Sequence, residues 1–252
     1  MTSTVDRHYQ QLLAANYTWM LGGDIEQTAR DQRVLLESLL DGPAHANGGS
    51  AVDLGCGSGG QTLALADMGY GPVFAVDTDE SLLAELRTHT TERTTVETVH
   101  DDAVNALTTF APRTLDLAVC MGDTLLHLPG RTAVTALFDH TARALRPGGR
   151  LVLTYRDLTR PLQGTDRVIP VRSTESKIML CFLDFSAEDT VEVHDIIYTR
   201  GDNGWTITTS SYPKLRIAPQ WVTDQLAAAG FIVDHHQQDD SGLWHTVAQR
   251  DT

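Results

Sequence analysis

The sequence has no apolar run long enough to span a bilayer, no block of basic residues, and no internal repeat or low-complexity tract. Each absence removes a class of function. A membrane span needs roughly 20 consecutive apolar residues, so no membrane partner is expected. Lysine and arginine together number 19 against 33 acids, a net charge of −14, and the cations are scattered. Sequence-independent nucleic-acid binding needs a positive surface, so no nucleic-acid partner is expected. The opening residues Met1-Thr2-Ser3-Thr4-Val5-Asp6 lack the charged-then-apolar order of a signal peptide. Cysteine is scarce. Cys56, Cys120 and Cys181 are odd in number and lie in apolar patterns, which predicts reduced, packed thiols in a cytoplasmic protein. Cys56 is either a small packing residue or a reactive thiol. The histidines form no pair with metal-ligand spacing, so no metal is expected.

What is present is a chain of 252 residues with 41% hydrophobic content, enough for one large α/β domain, with or without an inserted cap. Apolar and aromatic positions Val5, Tyr9, Leu12, Leu13, Tyr17, Trp19 and Met20 predict a short amphipathic helix. Gly22-Gly23 breaks it, and Asp24 caps a second helix to about Leu40, with Val34, Leu35, Leu36, Leu39 and Leu40 inward. A loop follows through Asp41-Gly42-Pro43 and Asn47-Gly48-Gly49. Strands are then expected at 51–54, 73–76, 95–99, 115–121 and 150–155, alternating with helices at about 60–68, 79–87, 103–107 and 131–145. Strands separated by helices imply a parallel, doubly wound sheet. Residues 177–186, 190–200 and 205–212 read instead as antiparallel strands with short turns. A helix over about 219–229 and two closing strands, at 231–233 and 243–249, complete the chain. The expected organisation is a lid at 1–45, a core at 46–252, and a cap inserted at about 157–216.

The densest signal is Ala51-Val52-Asp53-Leu54-Gly55-Cys56-Gly57-Ser58-Gly59-Gly60, an apolar strand entering a glycine-rich turn before a helix. A second apolar run, Val73-Phe74-Ala75-Val76, ends in Asp77, 22 positions beyond Gly55. Glycine lets backbone approach a ligand, and a carboxylate about 20 residues on can hold a ribose hydroxyl pair. This is the layout of an adenosine-cofactor site. Gly55, Gly57 and Gly60 satisfy the dinucleotide spacing. Asp53, however, places a negative charge where a pyrophosphate gains nothing from it and an ammonium group does. Some fifty residues also precede the first sheet strand, whereas a dinucleotide domain usually begins close to it.

The chain resembles a class I S-adenosylmethionine-dependent methyltransferase. The resemblance is carried by Val52–Gly59, Ala75-Val76-Asp77-Thr78-Asp79, His100-Asp101-Asp102-Ala103, Asp116–Asp123, Leu145-Arg146-Pro147-Gly148-Gly149 and Ala229-Gly230-Phe231, in the family's order. It implies a Rossmann-like, seven-stranded, mostly parallel sheet with a helical N-terminal lid and a small antiparallel β cap. The implied cofactor is S-adenosyl-L-methionine, leaving S-adenosyl-L-homocysteine. By position, the Gly55 and Gly57 backbone passes beneath the methionine part and Asp53 favours its ammonium. Asp77 accepts from the ribose hydroxyls, with Thr78 beside it. Asp102 takes the adenine amino group, Asp101 being the alternative one residue away, and Ala103 gives a backbone N–H. Met121 and Gly122 line the cofactor near the transferred methyl. Tyr17 and Trp19 are either core residues or part of a lid over the cofactor, and Arg30 or Arg33 reaches the cofactor carboxylate.

Met121-Gly122-Asp123-Thr124-Leu125-Leu126-His127-Leu128-Pro129 and Leu151–Asp157 are similar to the glycine/sarcosine N-methyltransferase branch. That similarity implies that Arg156 grips an acceptor carboxylate in a forked geometry; a structural salt bridge to Asp157 or the lid is the alternative. Asp123 stands where the branch has Asn, so a cationic acceptor is also open. His127 is either a general base or a hydrogen-bonded histidine at a turn. Tyr155 either faces the acceptor or packs beneath the cap. Tyr212, Lys214 and Arg216 are further candidates at the acceptor. The expected acceptor is a small amine or amino-acid-like molecule with an acidic group. O- or C-methylation of a specialised metabolite, and cofactor binding without methyl transfer, are the alternatives. A homo-oligomer is left open.

Overall fold

The N-terminal stripe does not form one helix. In the computed structural model, which describes residues 4–40 and 48–251, it is divided into α1 (Thr4–His8), a π turn (Tyr9–Leu13), a 3-10 turn (Ala14–Asn16) and α2 (Tyr17–Met20). The changes of pitch re-phase the stripe, so that Leu12 and Leu13 both turn into a cluster with Met179 and Ile197 far along the chain. Asp24 caps α3 (Ile25–Leu39) by accepting from Gln27 N at 3.0 Å. Leu36 is fully buried, but Val34 is 69% exposed. Two residues of helix are about 200° of rotation, so Leu36 inward puts Val34 outward. The loop residues 41–47 lie outside the described residues.

The core strands are β1 (Ala51–Leu54), β2 (Val73–Asp77), β3 (Val96–His100), β4 (Leu115–Cys120) and β5 (Leu145–Arg156). Between them run α4 (Gly60–Asp67), α5 (Glu80–His89), α6 (Ala103–Thr109) and α7 (Arg131–Ala144). The cap follows as β6 (Val168–Ser173), β7 (Lys177–Asp184), β8 (Thr190–Gly201) and β9 (Gly204–Leu215), all antiparallel. β6 escaped the sequence reading because Pro170 interrupts it. As an edge strand it tolerates the missing N–H. α8 (Pro219–Ala228), β10 (Phe231–Gln238) and β11 (Leu243–Arg250) return to the core.

The large sheet has the order β3-β2-β1-β4-β5-β11-β10, with β11 antiparallel to both neighbours. β1 is buried at every position, as expected of a parallel strand covered on both faces. From β1 the order runs one way to β2 and β3 and the other way to β4 and β5. Ligands of such sheets bind outside the carboxyl ends at this reversal. The turn after β1 and the turn after β4 flank it. Among the described residues no helix is long and apolar enough to cross a membrane.

Candidate active site

The site begins with backbone. β1 and β2 pair in register, and Gly55 N and Cys56 N both donate to Val76 O, at 2.8 and 2.9 Å. Gly55, Gly57 and Gly59 have φ of 76°, 55° and 99°, the left-handed region that glycine enters without penalty. A Cβ on Gly55 would collide with Thr124, and one on Gly57 would lie 2.6 Å from the Tyr17 ring. Gly55 and Gly57 therefore present bare backbone to a cavity of about 670 Å³ at the sheet reversal. Cys56 is 2% exposed and burial pushes its thiol pKa up, so it is a packing residue.

Carboxylates ring this half of the cavity. Asp77 lines it, accepting from Gly57 N at 2.8 Å on one oxygen and from Asp79 N at 2.9 Å on the other. Burial raises its pKa. Each oxygen keeps a second acceptor site. Asp101 and Asp102 both line the cavity, with Thr78 and Ala103. Asp102 Oδ1 caps α6, accepting from Val104 N and Asn105 N at 3.0 and 2.9 Å. Asp101 accepts from Asn105 Nδ2 at 2.7 Å. Asp53 lies behind the glycine turn, 1% exposed, and accepts from Thr62 Oγ1 at 2.6 Å. Burial pushes its carboxyl up to about 7 even though Thr62 pulls it down.

The opposite wall comes from the turn after β4. Gly122 lines the cavity, its N–H fixed on Thr154 Oγ1 at 2.8 Å. Asp123 follows at φ 70°, a left-handed conformation uncommon outside glycine. Its carboxylate, 2% exposed, faces away into a buried cluster. It accepts from Arg156 Nη1 at 2.6 Å, Arg156 N at 2.9 Å and Lys214 Nζ at 3.0 Å. Burial alone would raise its pKa, but Lys214 and Arg156 hold it well below the usual carboxylate range. His127, on the 3-10 turn Thr124–His127, lines the cavity, and its Nε2 is buried with no hydrogen-bond partner among the described residues. Its ring stands edge-on to Tyr212 and Tyr9, at 5.3 and 6.0 Å. Burial, then Lys214, push its pKa down to about 3, so it is neutral near pH 7.

Several expected site residues lie elsewhere. Arg156 is turned to Asp123 and does not line the cavity. Tyr155 is fully buried in the main core, opposite Trp244 on β11. Met121 is 4% exposed, packed with Val119, Val152 and Val247. Arg30 folds back onto Gln27 of its own helix, at 2.8 and 3.1 Å, and Arg33 pairs with Glu37 at 2.8 Å. Trp19 lies under Lys177 and Arg172 of the cap, 4.9 and 5.5 Å from its ring centre. Tyr17 does line the cavity, with Tyr9 and with Thr4, Val5 and Asp6 from α1. Asp6, Thr124 and Val104 also line the cavity, without having stood out in the sequence as site residues. Only the extended segment around His127, already singled out, contained a signal for Thr124. No group of three or more His, Cys, Asp or Glu suited to a metal ion occurs among the described residues.

Comparison with known proteins bears on this geometry. Residues 51–149, from β1 to just past the start of β5, match the family described as a methyltransferase domain. No curated protein matches the sequence. Among solved structures, the chain is similar to the CcbJ methyltransferase from Streptomyces caelestis, with 18% identity, all of both chains covered and a TM-score of 0.78. It is similar to an S-adenosylmethionine-dependent methyltransferase from Clostridium acetobutylicum, with 14% identity, 98% of each chain covered and a TM-score of 0.72. A third is CalS10, an amino pentose methyltransferase from Micromonospora echinaspora bound to S-adenosylmethionine, with 18% identity, 95% of this chain and 97% of that one covered, and a TM-score of 0.69. The fold is thus that of the class I methyltransferases along the whole chain, and the family match falls on the strands and turns that build the cavity. Residues 51–149 thus match a methyltransferase domain, within a fold shared along the chain with solved S-adenosylmethionine-dependent methyltransferases. The residues present fit the cofactor: a glycine cradle that a Cβ would fill, and a carboxylate-rich wall with no lysine or arginine among the described residues lining it.

Proposed function

We propose that this enzyme methylates the nitrogen of a small amine, which attacks in its neutral form. The cofactor supplies an activated methyl on a sulfonium sulfur, so the protein's task is to hold nucleophile and methyl in line. Asp77 is assigned to the ribose hydroxyls and Asp102, with Ala103 N–H, to the adenine edge, Asp101 standing beside it. The Gly55–Gly57 backbone lies under the methionine part, and Asp53 behind it favours the ammonium. Gly122 and Tyr17 close the space around the reacting end.

The observation that carries the amine reading is His127. An imidazole held neutral, with a pKa of about 3, is a poor proton sink for a hydroxyl or a carbon acid, which need a base to become nucleophilic. An amine needs only to arrive neutral. His127 then orients the acceptor as an uncharged wall, and the proton is lost to water. An acidic group on the acceptor finds no arginine or lysine on the described cavity wall: Arg156 pairs through Nη1 with Asp123 and does not line the cavity. With Asp77, Asp101 and Asp102 assigned to the cofactor, Asp6 of α1 is the acid on the rest of the described wall, and it suits the positive charge of the methylated product. The amino pentose activity of CalS10 and the sugar N-methyltransferase activity of KedS8 from Streptoalloteichus sp., 17% identical with a TM-score of 0.69, belong to proteins of this fold and support an amine acceptor.

The test is mass spectrometry of a panel of small amines, each paired with its hydroxyl and carboxylate counterparts, incubated with enzyme and cofactor. The expected result is gain of one methyl group by amines alone, with kcat/KM rising as the acceptor amine deprotonates and no inflection from His127 between pH 5 and 9. Methylation of hydroxyl acceptors but not amines would contradict the reading.

A further inference from the structure

Helix α1 supplies Thr4, Val5 and Asp6 to the cavity wall, yet it is five residues long. Helices much shorter than about 12 residues do not hold themselves in water, so something outside α1 fixes it. The segment that follows is held independently: Leu12 and Leu13 pack on Met179 and Ile197, and Lys177 Nζ donates to Asn16 Oδ1 at 2.8 Å. Those contacts lie beyond α1, within which Val5 packs against the main core. At the end of α1 itself is His8, 1% exposed, with Nε2 2.9 Å from Asp195 Oδ2, an atom 187 positions away on β8 of the cap. Asp195 is 3% exposed. The His8 ring stacks on Tyr212 of β9 at 4.2 Å and 29°.

We propose that His8 is a positioning residue: through Asp195 and Tyr212 it pins the cavity-lining turn of the lid to the cap, so that lid and cap close over the bound cofactor as one body. A buried polar pair separated from solvent is costly to break from one side, because the remaining partner is left uncompensated. The pair also leaves His8 Nδ1 buried with no hydrogen-bond partner among the described residues. The inference rests on the cofactor and not on the identity of the acceptor.

The experiment is calorimetric and stopped-flow titration of the full chain with S-adenosylhomocysteine. The variants are His8→Ala, His8→Gln, Asp195→Ala, Asp195→Asn and the double variant His8→Ala/Asp195→Ala, with Asn16→Ala as the surface lid–cap control. Interrupting the pin is expected to weaken binding about tenfold or more, chiefly through faster dissociation. The double variant should be no worse than either single alanine variant, since the two side chains act as one contact. Asp195→Asn, whose amide oxygen still accepts from the imidazole, should stay close to wild type, as should Asn16→Ala. Hydrogen exchange of the ligand-free protein should speed up in residues 4–8 of His8→Ala while residues 51–149 are unchanged. A folded His8→Ala variant that binds and releases S-adenosylhomocysteine as wild type does would overturn the proposal, as would additive losses in the double variant, or a His8→Gln variant, whose amide can still donate to Asp195, that binds no better than His8→Ala.

Discussion

The two halves of the cavity are built on opposite principles. On the β1–β2–β3 side, neighbouring strand ends and one glycine turn bring together Asp53, Asp77, Asp101 and Asp102, and no arginine or lysine bonds to any of their carboxylates in the contacts described above. On the β4–β5 side, Asp123 is saturated by Arg156 and Lys214, and the wall is completed by side chains from the lid and from β9. The first half keeps its negative charge available for a ligand. The second neutralises its own and ties the cap to the sheet. A carboxylate beside a cavity is therefore no guide to ligand charge until its partners are known.

Four substitutions would break or sharpen this contrast, in descending order of effect. Asp123→Ala leaves Lys214 buried without its counter-ion. It should destabilise the fold by about 3–5 kcal/mol in urea unfolding, the usual cost of removing one member of a buried pair. A loss under about 1 kcal/mol would mean that the cluster is not held by charge. Asp77→Ala should weaken S-adenosylhomocysteine about a hundredfold, the worth of two hydrogen bonds to a charged group, and lower stability because Gly57 N and Asp79 N lose their acceptor. Unchanged affinity in calorimetry would remove the ribose role.

Asp53→Asn should act through pH. In the ligand-free fold the Asp53 pKa is raised to about 7, above the ordinary value near 4. Its contribution to stability is therefore fully present below about pH 4 and is lost as pH rises through 7. Ligand ammonium favours the ionised form, so S-adenosylhomocysteine affinity should rise between pH 6 and 8 with proton release. Asp53→Asn should flatten both trends. A pH trend retained in the variant would assign it to another group. Arg156→Ala is the mildest. Its side chain is 51% exposed, so about 1 kcal/mol or less is expected, and acceptor KM should stay close to wild type. A large selective rise in acceptor KM would restore Arg156 as the acceptor's anchor.

The same contrast explains what the sequence disclosed. The glycine turn, Asp77 and the Asp101–Asp102 pair are legible because strand, turn and carboxylate follow one another locally, and parallel register makes neighbouring strand ends level. The parallel, doubly wound core was readable from alternating apolar runs for the same reason, while its seven strands were what the family resemblance implied. The acceptor side was not. Arg156 and Asp123 are 33 positions apart and Lys214 a further 58, and nothing local says that the three meet. The lid stripe was visible, but its break into π and 3-10 turns answers to Met179 and Ile197, which no periodicity within residues 5–20 contains. Val34 failed for a simpler reason: apolarity placed it inward, and the angle from Leu36 placed it outward.

The most direct test of the account is calorimetric titration of the purified protein with S-adenosylhomocysteine and, separately, with NADH, at pH 7.5. One-site binding of S-adenosylhomocysteine in the micromolar range with no response to NADH is the result expected of an acidic, glycine-floored cavity that holds an ammonium-bearing adenosine ligand. Binding of NADH without S-adenosylhomocysteine would contradict it and turn the glycine turn back into a pyrophosphate site.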